Sequence, residues 1–120
     1  MGKLLTIEDD IVLRETLTDI LEAHGHTVVQ AGDGEEGVKA FSRTHPDLVL
    51  CDIDMPKMNG FRVLEKLKTL VGASEFPPFI FLSAKVEQTN IIKGLELGAV
   101  DFVSKPYSSK ELLKLIEKWL

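Results

Sequence analysis

Four short apolar runs in this chain each stop at a residue that can do chemistry. Leu4-Leu5-Thr6-Ile7 stops at Glu8-Asp9-Asp10, and Leu48-Val49-Leu50-Cys51 stops at Asp52. Phe79-Ile80-Phe81-Leu82 stops at Ser83-Ala84, and Val100-Asp101-Phe102-Val103 leads into Ser104-Lys105-Pro106. If these runs are parallel neighbouring strands, acid, acid, hydroxyl and ammonium converge on the carboxyl edge of one sheet, where open α/β sheets bind their ligands. Carboxylates gathered there repel: two unit charges about 4 Å apart cost roughly 4 kcal/mol at an effective dielectric near 20. A hard cation removes the repulsion. Mg²⁺ takes one or two carboxylates, keeps several waters and completes its shell with phosphate oxygens. The set therefore suits a divalent metal and a phosphoryl group beside a nucleophilic carboxylate.

Each member has a plainer reading when taken singly. Asp9 and Asp10 would suit the first turn of a helix through its dipole, with Asp10 as the cap. Lys105 could be a solvated surface lysine. Ser83 could bond its own backbone at the start of a loop. Four such residues at the ends of four successive core strands are a far more specific signal than any one of them.

The elements that must position them alternate five times. Strands are expected at Lys3–Ile7, Thr27–Ala31, Asp47–Cys51, Phe79–Leu82 and Val100–Val103. Between them, Leu13, Leu17, Ile20, Leu21 and His24 recur at helical spacing and Gly25 ends the run. Asp33-Gly34-Glu35-Glu36 reads as a capping box opening a helix with Val38 and Phe41 inward. The loop Met55-Pro56-Lys57-Met58-Asn59-Gly60 delivers a third helix with Phe61, Leu64, Leu67 and Val71 on one face. Gly72 to Pro78 is a turn-rich connection. A weaker helix runs from about Glu87 to Leu97, stopped by Gly98. Ser108-Ser109-Lys110-Glu111 opens the last helix, with Leu112, Leu113, Ile116, Trp119 and Leu120 as its stripe. Such alternation predicts a parallel sheet covered on both faces with right-handed crossovers.

At 120 residues the chain reads as a single domain over 1–120, with no effector domain. Its net charge of −5 argues against direct nucleic-acid binding, which needs a basic face. No apolar stretch approaches the roughly 20 residues that span a bilayer, and no membrane association is expected. The start matches the bare myristoylation pattern, but the same residues begin a core strand. The single cysteine, Cys51, permits no internal disulfide and reads as a buried, inert thiol, in keeping with a reducing cytoplasm. His24, His26 and His45 fall near helix ends and turns, where surface or capping roles are expected.

Glu8-Asp9, Asp52 with the trailing Met55-Pro56 and Asn59-Gly60, Ser83-Ala84 and Lys105-Pro106 closely resemble, in order and spacing, the receiver domain of bacterial response regulators. The resemblance runs from Lys3 to Leu120. It implies a CheY-like, flavodoxin-like (βα)5 three-layer sandwich with strand order 2-1-3-4-5. It implies that Asp52 is the phosphoacceptor, loaded by a sensor histidine kinase or phosphotransfer protein. It implies Mg²⁺, or Mn²⁺ in its place, bound by Asp9, Asp52 and the backbone carbonyl of Asp54, with Glu8 acting through water. Lys105 would stabilise the phosphoryl group, and the Lys105–Pro106 bond would be cis. Ser83 and Phe102 would form the switch, and residues 87–120 would present the output surface to a downstream protein or a second copy. The chain would catalyse its own phosphorylation and dephosphorylation without being an enzyme in the turnover sense. Glu8 stands where aspartate is more frequent, and Phe102 lacks the hydroxyl some relatives carry. Asp54 and Lys85 lie two residues beyond Asp52 and Ser83, where an ion pair between them would alter acyl phosphate lifetime.

Two other readings compete. Asp52-Ile53-Asp54 resembles the aspartate-x-aspartate of haloacid-dehalogenase-type phosphatases, with Asp54 as general acid. That motif falls here on the third strand rather than the first, with no cap domain and no acidic pair after Lys105. A flavin-phosphate binding module would need a Ser/Thr/Gly-rich loop after the first strand, where this chain has acids.

Overall fold

The computed structural model describes residues 2–72, 76–84 and 88–120. Five strands and five helices alternate: β1 (Lys3–Ile7), α1 (Ile11–Ala23), β2 (Thr27–Ala31), α2 (Gly34–Thr44), β3 (Leu48–Asp52), α3 (Gly60–Val71), β4 (Phe79–Ser83), α4 (Gln88–Leu97), β5 (Asp101–Ser104) and α5 (Ser109–Trp119). All strand pairs are parallel and the sheet order is β2-β1-β3-β4-β5. This is the flavodoxin-like architecture that the sequence predicts.

Alternation along the strands divides the core in two. Leu5, Ile7, Val49, Cys51, Phe79 and Phe81 face one side, where Val38 and Phe41 of α2 and Phe61, Leu64 and Leu67 of α3 cover them. Leu4, Leu48, Leu50, Ile80, Leu82 and Val103 face the other, under Leu17 and Leu21 of α1 and Leu112 and Ile116 of α5. Strands buried on both faces read as continuous apolar runs, which is why polar residues stand out at their ends.

Side chains in the loops at the carboxyl edge cap the helices that follow. Asp10 accepts from the Val12 and Leu13 N–H groups, Asp33 from Glu36, Asn59 from Arg62 and Ser108 from Glu111. Each satisfies a helix N–H that has no partner within the helix. The capping box at Asp33 closes one residue early: Glu36 reaches back to the Gly32 N–H, 3.2 Å away, rather than to Asp33.

Several details differ from the sequence reading. β3 runs one residue further, so Asp52 is its last residue rather than the first of the loop. β5 likewise begins and ends one residue later. Leu13, Val71 and Leu120, expected on apolar faces, are 42%, 44% and 49% exposed. All three lie in the first or last turn of a helix or just past it, and none belongs to either core cluster. His24 is exposed as well. The expected start of the fourth helix at Glu87, and part of the Gly72–Pro78 connection, lie outside the described residues.

Candidate phosphoryl and metal site

The ends of β1, β3 and β5 bring the acids and the lysine together. Glu8 follows β1 directly and is buried; Asp52 ends β3 and is buried; Asp9 is exposed. The ligand oxygens of Glu8, Asp9 and Asp52 all lie within 4.8 Å of one another. Lys105, just past β5, places Nζ 2.6 Å from Glu8 Oε1 and 3.4 Å from Asp52 Oδ1. The Lys105–Pro106 peptide is cis. The Lys105 N–H donates to the Ser83 carbonyl at 2.7 Å, which ties this loop to the end of β4.

Glu8 and Asp52 share the one ammonium of Lys105, and both burial and this sharing show in the titration of Asp52. Burial and then the charge of Glu8 push its carboxyl from 3.8 up to about 6, although Lys105 pulls the other way. Burial works against the charge on Lys105, but the hydrogen bond to Glu8 and the charge of Asp52 outweigh it and hold the ammonium above its ordinary value. The oxygens of Glu8, Asp9 and Asp52 could hold a further cation between them. All-oxygen, carboxylate-rich ligands suit a hard divalent ion. The Cys51 thiol is raised well above its ordinary value by burial and by Asp52 and Glu8; its Sγ lies 3.3 Å from the Asp52 carbonyl, and it is no nucleophile.

Glu8 is held at every polar atom. Its N–H donates to the Ala31 carbonyl at 3.1 Å, Oε1 takes Lys105, and Oε2 accepts the Asp10 N–H at 3.2 Å. Its carbonyl accepts from Arg14 Nη1 at 2.9 Å. Arg14 is the contact that sequence reasoning missed. The only signal was an arginine one turn beyond the helix cap.

Ser83 is buried at the end of β4, beside the strand that carries Asp52. Phe102 on β5 is half-buried, its ring 5.4 Å from that of Phe81. It lies beyond the acidic cluster, against α4: a methyl on Gly94 would fall only 2.4 Å from the tip of the Phe102 ring. Asp54 is exposed on the β3–α3 loop, and its expected partner Lys85 lies outside the described residues. A cleft of about 820 Å³ lies at the opposite edge of the sheet, among Gly2, His26, Asp47, Pro78 and Trp119, and contains none of these residues. Among the described residues, no helix is long and apolar enough to cross a membrane.

Residues 4–117 match the family model described as the response regulator receiver domain. The chain is 41% identical over 110 residues to the probable transcriptional regulator ycf27 of Porphyridium aerugineum, covering 92% of this chain and 44% of that protein. It is 37% identical over 111 residues to the DNA-binding response regulator MtrA of Mycobacterium leprae, covering 92% of this chain and 48% of that protein. The chain therefore spans less than half the length of these curated relatives. Among solved structures, chemotaxis protein CheY4 of Vibrio cholerae superposes with a TM-score of 0.94 at 27% identity, covering 100% of this chain and 99% of that one. The N-terminal domain of an uncharacterized Wolinella succinogenes protein superposes at 0.89 with 39% identity, covering 99% of this chain and 94% of that one. These similarities give no support to the haloacid-dehalogenase alternative.

Proposed function

This chain belongs to the response regulator receiver domain family of two-component signalling, and on that premise we propose that Asp52 is its phosphoacceptor, loaded by a histidine kinase or phosphotransfer protein. The observation that carries this reading is the meeting of Glu8, Asp9 and Asp52 with Lys105 at one sheet edge.

In the transfer, an Asp52 carboxylate oxygen attacks phosphorus in line. The new O–P bond forms as the P–N bond of phosphohistidine breaks, and the imidazole nitrogen leaves with the electron pair. Lys105 turns its ammonium to a phosphoryl oxygen, a charge-assisted hydrogen bond that strengthens as charge develops there. Asp9, Asp52 and the Asp54 backbone carbonyl would hold Mg²⁺, or Mn²⁺ in its place, and Glu8 would reach it through water. When bound, the ion supplies positive charge to the phosphoryl oxygens and relieves repulsion among the acids. The same residues make the chain a catalyst of its own loading and hydrolysis, without turnover on a free substrate. An Asp54–Lys85 pair would set the lifetime of the acyl phosphate.

The switch follows the new oxygens. The Ser83 hydroxyl turns toward them and the Phe102 ring moves with it. A phosphoryl group that binds one arrangement better shifts the population toward it. The readout is the face of α4, β5 and α5, within residues 87–120, offered to a downstream protein or a second copy. A cytoplasmic location fits these partners, and the reading gives this chain no direct contact with nucleic acid or membrane.

Titration with beryllium fluoride and Mg²⁺, followed by amide chemical shifts, tests the pocket and the switch together. The reading expects saturable shifts at Ser83, Phe102 and α4 in the wild type and none in Asp52→Asn. Equal shifts in both, or shifts confined to the acidic loop, would count against it.

A further inference from the structure

We propose that Arg14 is a positioning residue for the metal-binding acids, acting through the Glu8 carbonyl, and that Gly32 is small to leave room for it. The inference rests on the reading of Glu8, Asp9 and Asp52 as a metal site.

Arg14 lies in the first turn of α1, its own N–H donating to the Asp10 carbonyl at 2.9 Å. From there the half-buried side chain folds back over the acidic loop, and Nη1 donates to the Glu8 carbonyl at 2.9 Å. That carbonyl belongs to the peptide joining Glu8 to Asp9. The other three polar atoms of Glu8 are taken by Ala31, Lys105 and Asp10, so Arg14 closes the last one. With Glu8 fixed at both ends of its backbone, the plane from which Asp9 projects is fixed too. Asp9 is the exposed acid of the cluster, and its aim depends on that peptide.

The loop after β2 is shaped around the guanidinium. A methyl on Gly32 would fall 2.8 Å from Arg14 Nη1, while the Gly32 N–H donates to Glu36 Oε2 at 3.2 Å. The backbone at Gly32 would accept a side chain, but its first carbon would push the guanidinium off its place. Arginine suits the task because its charge is permanent and its planar fork is held with little loss of rotamer freedom. Unlike Lys105, it sits on a carbonyl and need not release a carboxylate when a cation arrives. Partners bonded directly to metal ligands typically change metal affinity about 10–100-fold when removed, and Arg14, one step further out, belongs at the lower end of that range.

The test is Mn²⁺ affinity of the full chain, read from the free-ion electron paramagnetic resonance signal, alongside urea unfolding without metal. Arg14→Ala is expected to raise the Mn²⁺ Kd on the order of 10-fold. Gly32→Ala, whose methyl must displace the guanidinium, is expected to raise it in the wild-type background and to add less than about twofold in the Arg14→Ala background. If Arg14→Ala does not fold, Gly32→Ala with Arg14 present decides the matter. A folded Arg14→Ala whose Kd stays within about twofold of wild type would overturn the proposal while leaving the metal site intact, as would a Gly32→Ala effect of equal size with and without Arg14. A wild-type chain that binds no Mn²⁺ would overturn the metal-site reading and this inference together.

Discussion

The ammonium of Lys105 lies nearer to Glu8 than to Asp52, 2.6 Å against 3.4 Å, so the cation's main partner is not the proposed acceptor. Glu8 anchors the lysine close enough to reach Asp52 but leaves it able to turn. The arrangement keeps a charge beside the acceptor without neutralising it in a tight pair.

Lys105→Ala removes that cation and leaves two buried carboxylates facing each other. Stability without metal is expected to fall by about 2–4 kcal/mol near neutral pH, the lower end applying if Asp52 takes up a proton. Loading by acetyl phosphate should slow by about 100-fold or more, since one preorganised contact to developing charge is lost. Urea unfolding and the time course of intact mass check the two effects separately.

The pH dependence of stability carries the mark of Asp52. Its carboxyl titrates at about 6 in the folded chain, above the ordinary 3.8, because of burial and the charge of Glu8. The folded chain therefore holds that proton more tightly than the unfolded chain does. The stability this contributes is complete below about pH 4 and is lost as pH rises through about 6, a loss of roughly 1–3 kcal/mol. Without metal, wild type should weaken relative to Asp52→Asn across this window, and Mg²⁺ should stabilise wild type more at pH 8 than at pH 5. Parallel curves for the two proteins would contradict the assignment.

Gly60 is the residue on which α3 turns under the acceptor. A methyl there would meet the Asp52 carbonyl oxygen at 2.5 Å and the Ile53 Cα at 3.0 Å, both backbone. Neither can swing aside, so the strand end must shift. Gly60→Ala is expected to cost about 2–3 kcal/mol despite alanine's better helix propensity, and to slow phosphorylation by displacing Asp52. Thermal unfolding together with acetyl phosphate kinetics would show both.

Thr6 sits within β1 with its hydroxyl buried, and among the described residues its Oγ1 is the one buried side-chain polar atom without a hydrogen-bond partner. Thr6→Val replaces that hydroxyl with a methyl of similar shape. Stability should rise by about 1–2 kcal/mol, seen as a higher urea midpoint at an unchanged slope.

The acids and the lysine were legible in the sequence for one physical reason, whereas the strand order followed only from the family resemblance. Strands buried on both faces are apolar throughout, so Glu8, Asp52, Ser83 and Lys105 stand out as the residues that end them. The starts of α1, α2 and α5 were legible through Asp10, Asp33 and Ser108, whose short polar side chains cap helices. Arg14 was not legible, because its partner is a backbone carbonyl and carries no residue signature. The direct grip of Lys105 on Glu8 was hidden as well: spacing brings charges to one edge but does not say which pair closes. Leu13, Val71 and Leu120 fit the helical period yet lie at or just past helix ends, where no core remains to meet them.

Intact mass after incubation with acetyl phosphate decides whether Asp52 accepts the phosphoryl group. One added phosphoryl group is expected in the wild type, dependent on Mg²⁺ and absent from Asp52→Asn. An adduct of the same size on Asp52→Asn, or one formed equally well in the presence of a chelator, would contradict it.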